Sequence, residues 1–234
     1  MRWEVGPSSA DPRTLVHTVV RETGIMTAGE RWDERVLPRL IDVVLGDRMT
    51  GGWREGVCRD LSGEVLEIGF GSGTNLSHYG AGVTRVLAVE PSDRAWDIAR
   101  KRIDGFGRPV KRIGLDGARL DLPDATVDAV VSTWTMCTIP DLAGALAEAR
   151  RVLRPGGRLH FVEHSLAPTH RVARIQRSLQ PVWGRAAGGC HLDRDIPALL
   201  RAAGFSTPDL RQRYASALWP ARPFGWFVTG SAQP

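Results

Sequence analysis

Glycines at positions 69, 71 and 73 punctuate the segment Val65-Leu66-Glu67-Ile68-Gly69-Phe70-Gly71-Ser72-Gly73-Thr74-Asn75. Glycines where a strand hands over to a helix let the backbone approach a ligand that a side chain would hold off. The Gly-x-Gly-x-Gly spacing differs from the Gly-x-Gly-x-x-Gly of dinucleotide sites, so no pyrophosphate need sit at the helix N-terminus. Glu67, just before the first glycine, makes the neighbourhood acidic and suits a ligand carrying an amino group or a sulfonium. Glu90 ends the run Leu87-Ala88-Val89-Glu90-Pro91, about twenty residues beyond the turn, where a carboxylate can accept hydrogen bonds from both hydroxyls of a ribose.

Proton chemistry has two candidate sets. His164 follows Glu163, and imidazole titrates near neutral pH, so His164 is the first choice as a general base. The set His191, Asp193 and Asp195 is the second, because a nearby acid can orient a histidine and stabilise its charged form. Asp193 is also a candidate cap for the helix that follows, with Arg194 as its ion-pair partner. Cys58, Cys137 and Cys190 are few, odd in number and widely spaced, which gives neither a disulfide framework nor a metal-type pair. We expect buried thiols acting as small hydrophobes, no metal site and a reducing cytoplasm.

These residues need a frame, and the alternation of strand and helix signals from Gly63 onward supplies an α/β fold with a mainly parallel sheet. Strands are predicted at Val65–Ile68, Arg85–Val89, Val110–Ile113, Val127–Ser132 and Leu159–Val162, with two more around Leu210–Tyr214 and Trp226–Thr229. Helices are predicted at Asp93–Ile103, Asp141–Leu153, within 167–189 and at Asp195–Ala203. The Pro155-Gly156-Gly157 run stops the second of them and Gly204 the last. Before the sheet, Glu34 to Leu45 places Val36, Leu37, Leu40, Ile41, Val44 and Leu45 at helical spacing. This helix serves as packing, as a lid or as a surface that rests on a membrane. Residues 1–29 read as an extended or disordered segment, with Met26 a candidate start, and 30–234 as one domain.

Hydrophobic residues make up 42% of the 234-residue chain and charged residues 24%, which excludes intrinsic disorder as its general state. The net charge of +5, mostly arginine, favours anionic partners. No basic run alternates with aromatics as a nucleic-acid groove requires, which argues against that partner. No apolar stretch reaches the roughly 18 residues of a membrane span, and we expect no signal peptide.

The glycine turn, Glu90, the segment Leu115-Asp116-Gly117-Ala118-Arg119-Leu120-Asp121-Leu122-Pro123-Asp124 and the run Arg151-Val152-Leu153-Arg154-Pro155-Gly156-Gly157 together resemble the class I S-adenosylmethionine (SAM)-dependent methyltransferases over about residues 60 to 230. The resemblance implies a Rossmann-like, doubly wound, seven-stranded and mostly parallel sheet whose reversed seventh strand lies beside the fifth. It implies SAM as cofactor and S-adenosylhomocysteine as product. The implied cofactor site runs through Glu67, Gly69, Gly71, Gly73, Asn75, Glu90, Pro91, Asp116, Gly117, Ala118 and Thr133, with Asp116 meeting the adenine amino group.

A looser likeness to methyltransferase-like thiol methyltransferases and their bacterial relatives lies in Ser132-Thr133-Trp134-Thr135-Met136-Cys137-Thr138-Ile139-Pro140, Phe161-Val162-Glu163-His164 and Gly188-Gly189-Cys190-His191-Leu192-Asp193-Arg194-Asp195. It implies a small-molecule acceptor, a thiol first, with Trp134, Met136 and Trp183 around it. An aromatic or amine metabolite methylated on N, C or O, or a phospholipid head group, is the alternative acceptor. A nicotinamide dehydrogenase would use the same sheet, but the glycine spacing disfavours it. A non-catalytic binding module would have no need of Glu67, Glu90 and Asp116.

Overall fold

The computed structural model describes residue 32 and residues 36–234. The expectations for residues 1–29, and for a helix beginning at Glu34, lie outside the described residues or at their edge.

Helix α1 (Leu37–Val44) and helix α2 (Asp47–Cys58) precede the sheet. Helix α2 was not anticipated, because Gly51, Gly52 and Gly56 argue against a helix on propensity. Tertiary packing overrides propensity here: Val57 and Cys58 pack with Val65, Leu76 and Tyr79 in one core cluster. Strands β1 (Gly63–Ile68), β2 (Val83–Val89), β3 (Val110–Gly114), β4 (Val127–Thr133), β5 (Leu153–His164), β6 (Arg211–Tyr214) and β7 (Trp226–Ala232) form a seven-stranded sheet in the order β3-β2-β1-β4-β5-β7-β6. The pairs β1–β2, β2–β3, β1–β4 and β4–β5 are parallel, whereas β7 runs antiparallel to both β5 and β6. This is the Rossmann-like sheet with a reversed seventh strand.

Helix α3 (Asp93–Phe106) starts at Ser92, whose side chain accepts from the Ala95 N–H. Helix α4 (Leu142–Val152) starts at Asp141, which accepts from Gly144 N–H. Helix α5 spans His170–Ala186 and helix α6 Ile196–Ala202. The cap of α6 is Asp195, accepting from Ala198 N–H at 3.0 Å, which corrects the expectation that Asp193 fills this place. Helix α4 ends at Val152, and Pro155-Gly156-Gly157 falls inside a β5 longer than predicted. After the glycine turn the chain makes a five-residue 3₁₀ turn, Thr74–His78.

Strand alternation divides the core between the two faces of the sheet. Leu66, Ile68, Val130, Leu159 and Phe161 pack with Leu142, Leu146 and Ala149 of α4 and with Ile196 and Leu200 of α6. Val65, Val86, Ala129, Val131 and Val162 pack on the opposite face with α2, with Ala99 of α3 and with Phe70, Leu76 and Tyr79. The order of connection reverses between β1 and β4, so a crevice opens at their carboxyl ends, where open α/β sheets take ligands.

Candidate active site

The carboxyl ends of β1, β2 and β4 are level: Ile68 pairs with Val89 on one side and with Ser132 on the other. The chain then turns sharply, with Gly69 at φ 76°, Gly71 at 57° and Gly73 at 74°, all in the left-handed region that favours glycine. The turn is pinned to β2 by Gly69 and Phe70 N–H groups, both donating to the Val89 carbonyl. A Cβ on Gly69 would stand 2.1 Å from Thr135 Oγ1, so this glycine is required by close packing. A Cβ on Gly71 would meet nothing nearer than 4.0 Å, so the turn leaves open space there.

Glu90 stands at the rim of that space, buried at 6% exposure. Its Oε2 accepts from Gly71 N–H at 2.6 Å and its Oε1 from Ser92 N–H at 2.7 Å. Each oxygen keeps a further lone pair for a ligand hydroxyl. Burial pushes this carboxyl upward, against the pull of the Ser92 and Gly71 amides and of Arg112. Asp116 is exposed, and its Oδ1 accepts from Ala118 N–H at 2.9 Å in a local turn. Gly117 packs against Ile68, whose Cγ2 would lie 2.9 Å from a Cβ there. Pro91 is exposed beside Glu90.

Glu67, Asn75 and Thr133 come together as part of one buried network. Glu67 Oε1 accepts from Asn75 Nδ2 at 2.8 Å and its Oε2 from the Tyr79 hydroxyl at 2.6 Å. Asn75 Nδ2 also donates to Thr133 Oγ1 at 3.1 Å. Arg54 of α2 completes the set, with Nη1 donating to Asn75 Oδ1 at 2.6 Å and to Thr133 Oγ1 at 3.0 Å. Burial pushes Glu67 up to about 7, opposed by the hydrogen bonds from Tyr79 and Asn75 and by the charge of Arg54. Arg54 and Tyr79 were not foreseen; the available signal was an arginine and a tyrosine near the turn, which is no signal without the fold. Helix α1 is tied to the same turn. Asp42 Oδ1 accepts from Ser72 Oγ at 2.5 Å and pairs with Arg102 Nη1 at 2.9 Å.

The loop after β4 begins at Trp134, a non-glycine residue at φ 51°. Its indole forms an aromatic cluster with Phe227, centroids 5.6 Å apart, and Phe227 also meets Trp53 of α2 at 5.5 Å and His164 at 6.4 Å. Arg54 lies 5.0 Å from the Trp134 ring centre. Trp53 is another residue the sequence did not single out. Met136 is buried in the core with Ile68, Leu142 and Leu159, on the α4 face of the sheet and away from this cluster. Trp183 of α5 is half-buried and stacks on Phe224 with centroids 4.8 Å apart.

The candidate bases are placed apart. His164 is buried, with Nε2 3.3 Å from the Pro223 carbonyl and Nδ1 without a partner among the described residues. Burial pulls it down to about 4, so it is neutral at neutral pH. His191 is half-buried, its Nδ1 3.6 Å from Asp193 Oδ1 and 3.4 Å from the Gln180 amide nitrogen. Arg194 does not pair with Asp193 among the described residues; its Nη1 donates to the Met136 and Ile139 carbonyls at 2.6 and 2.7 Å. Glu163, next to His164 on β5, is fully buried. Its Oε1 accepts from Ser132 Oγ at 2.7 Å and from Thr135 N–H at 3.0 Å, while Oε2 has no partner among the described residues. Burial pushes Glu163 up to about 7, against the pull of the Thr135 N–H, the Ser132 hydroxyl and the Met136 and Cys137 N–H groups that follow Thr135. The thiols of Cys137 and Cys190, read as unrelated, lie 3.5 Å apart. Among the described residues no cluster of three or more His, Cys, Asp or Glu side chains could hold a metal.

A family model described as a methyltransferase domain matches residues 66–161, from β1 into β5. The chain is 32% identical to thiol S-methyltransferase TMT1B of Rattus norvegicus over 183 residues, 74% of this chain and 71% of that protein. It is 33% identical to thiol S-methyltransferase TMT1A of Homo sapiens over 161 residues, 66% of this chain and 65% of that one. Among solved structures, it resembles a SAM-dependent methyltransferase of Thermotoga maritima, titled a possible histamine N-methyltransferase, with TM-score 0.61 and 23% identity over 86% of this chain and 97% of that one. That last likeness concerns the fold. A SAM cofactor is consistent with the geometry: an open cradle at Gly71, bordered by a buried carboxylate with free lone pairs, is what a ribose needs.

Proposed function

We propose that this chain, which belongs to the class I SAM-dependent methyltransferases, methylates a small-molecule thiol. The observation that carries the acceptor assignment is the likeness to the two thiol S-methyltransferases over most of the chain. Among the described residues the aromatic cluster holds no strong base, which favours it too: burial pulls His164, the histidine beside Phe227, down to about 4, so it binds a proton weakly. A thiol ionises partly near neutral pH and is a strong nucleophile as its anion, so it needs little help with its proton.

SAM, when bound, supplies an electrophilic methyl group on a sulfonium. The protein's part is then to bind, orient and exclude water, and positioning of this kind lowers a barrier by up to about 7–11 kcal/mol. We assign Glu90 to the ribose hydroxyls, with Gly69, Gly71 and Gly73 giving the backbone its close approach and Pro91 bordering the ribose side. Asp116 receives the adenine amino group, with Gly117 and Ala118 along the ring. Glu67, Asn75 and Thr133, braced by Arg54 and Tyr79, fix the floor beneath the amino-acid end of the cofactor. Helix α1, held to Ser72 by Asp42, acts as a lid over the turn. Trp134 lines the acceptor side together with Trp53 and Phe227, and Trp183 borders it from α5. In this assignment Met136 shapes that side from the core behind. His164 positions the end of β5, and His191 with Asp193 is the base for any acceptor that must first lose a proton.

The aromatic cluster of Trp53, Trp134 and Phe227 favours a second reading, an aromatic or cationic amine acceptor, because such rings attract both. The deciding experiment measures SAM-dependent release of S-adenosylhomocysteine with hydrosulfide, alkyl thiols, indoles, phenols, amines and phospholipid vesicles. Turnover with thiols is expected. Turnover confined to amines or aromatics would replace the thiol assignment by the second reading, and turnover confined to vesicles would replace both.

A further inference from the structure

The segment between α5 and α6 is stitched to the loop that follows β4. The His191 N–H donates to the Cys137 carbonyl at 2.9 Å, and Arg194 fastens the Met136 and Ile139 carbonyls. In the middle of this seam the Sγ atoms of Cys137 and Cys190, separated by 53 residues of chain, lie 3.5 Å apart. We propose that Cys137 and Cys190 form a reversible dithiol–disulfide site, closed by exchange with a low-molecular-weight disulfide, that fastens segment 190–194 onto the loop after β4.

The two thiols differ in the way exchange requires. Cys190 is half-buried and open to a small reagent, whereas Cys137 is 2% exposed. The hydrogen bond between them holds Cys190 below the usual thiol range and raises Cys137. Cys190 is therefore the attacking thiolate and Cys137 the resolving thiol. In the first step the Cys190 thiolate bonds to one sulfur of the small disulfide, whose S–S bond breaks and releases one half as a thiolate. In the second, Cys137 Sγ bonds to Cys190 Sγ and the second half departs, taking up the Cys137 proton. The protein thiols together lose two electrons, and the small disulfide is reduced to two thiols. Closing the pair to a bond of about 2.05 Å asks for a shift of about 1.5 Å, within the reach of side-chain rotation and a small loop adjustment.

Cys58 is the internal contrast. It is fully buried among Val57, Leu61 and Val65, and burial pushes its thiol far up, so it resists exchange. The site does not depend on the identity of the methyl acceptor, and its test does not use turnover.

The test equilibrates the full chain in glutathione buffers of increasing glutathione disulfide content, quenches with acid, alkylates the denatured protein so that every free thiol reacts, and maps the peptides by mass spectrometry. The number of alkylated cysteines should fall from three to one, with a Cys137–Cys190 cross-linked peptide and Cys58 still alkylated, and dithiothreitol should restore all three. Oxidation should raise the thermal midpoint of the wild type and leave that of Cys190→Ser unmoved. All three cysteines remaining alkylated at every ratio would overturn the proposal. So would glutathione retained on Cys190 without a cross-link, or a cross-link that involves Cys58. Because the peptide map is made on the wild-type chain, the outcome stands even where a cysteine variant fails to fold.

Discussion

Two glutamates end two strands of the same sheet, on opposite faces, and burial pushes both up to about 7. Glu67 at the end of β1 has both oxygens bonded to side chains, Asn75 and Tyr79, with Arg54 behind them. Glu163 near the end of β5 bonds Ser132 and Thr135 through one oxygen, while its other oxygen makes no close hydrogen bond among the described residues and only the Met136 and Cys137 N–H groups add to its backbone surroundings. The same contrast extends around them. Near Glu163 and its loop, His164 Nδ1 and Trp134 Nε1 are also buried without partners among the described residues. A buried polar atom without a partner calls for a water, a ligand or a functional reason. The β1 end is thus organised in advance, whereas the β4–β5 end holds polar atoms still to be used. We read the first as the cofactor end and the second as the acceptor end.

The strongest way to break that division is Glu90→Ala. Each ribose hydrogen bond to the carboxylate should contribute about 1.5–3 kcal/mol, so SAM affinity by calorimetry should fall about ten- to a hundredfold per bond lost. Unchanged affinity would remove Glu90 from the cofactor assignment. Next comes Gly69→Ala, which places a Cβ 2.1 Å from Thr135 Oγ1 at a φ of 76°. The left-handed backbone contributes about 1–3 kcal/mol of destabilisation and the clash adds to it. In urea unfolding, Thr135→Ala on the same chain should recover only part of the clash, because the Thr135 Cβ itself would stand 2.6 Å from the new Cβ, and should leave the backbone cost.

The two glutamates themselves give a paired test. Glu67→Gln turns an amide toward a donor already in place and should cost about 1–3 kcal/mol. Glu163→Gln keeps an oxygen for Ser132 and Thr135 but turns its nitrogen toward the side that the Met136 and Cys137 N–H groups face. It should cost less than Glu67→Gln, which loses one of two bonds already made at 2.6 and 2.8 Å. Equal costs would erase the contrast between the two ends. Their pH signatures are predictable in sign. A carboxyl raised from 4.5 to about 7 gives stability that is full below 4.5 and lost as pH rises through 7. His164, lowered from 6.5 to about 4, gives stability that is full above 6.5 and lost as pH falls through 4. The variant His164→Gln should therefore flatten the acid limb of the stability profile, and Glu163→Gln the limb between 4.5 and 7. Either variant leaving its limb unchanged would contradict the burial argument. The smallest effect belongs to His191→Ala. With a thiol acceptor, turnover should fall less than about tenfold, whereas a general base contributes about a hundredfold or more.

Much of the geometry of the glycine turn was legible because it is local. Gly69, Gly71 and Gly73 sit at a strand end, Glu90 ends the next strand, and both positions follow from periodicity and turn chemistry within short windows. The strands of the sheet were found for the same reason, though β5 began earlier than expected because Pro155 and the glycines beside it are tolerated at its start. Helix α2 was missed because its glycines hide a helix that only packing sustains. With it went Arg54 and Trp53, which reach the site only after α2 has docked.

By itself, the sequence determined the α/β frame, the glycine turn and the carboxylates at strand ends, since each is encoded by residues near one another in the chain. The tertiary structure alone decided what those residues meet. It brought Arg54 to Asn75 across 21 residues and to Thr133 across 79, and Cys190 to Cys137 across 53. It also decided protonation, making His164 neutral and raising both glutamates, because burial is set by the whole packed chain and by no local pattern.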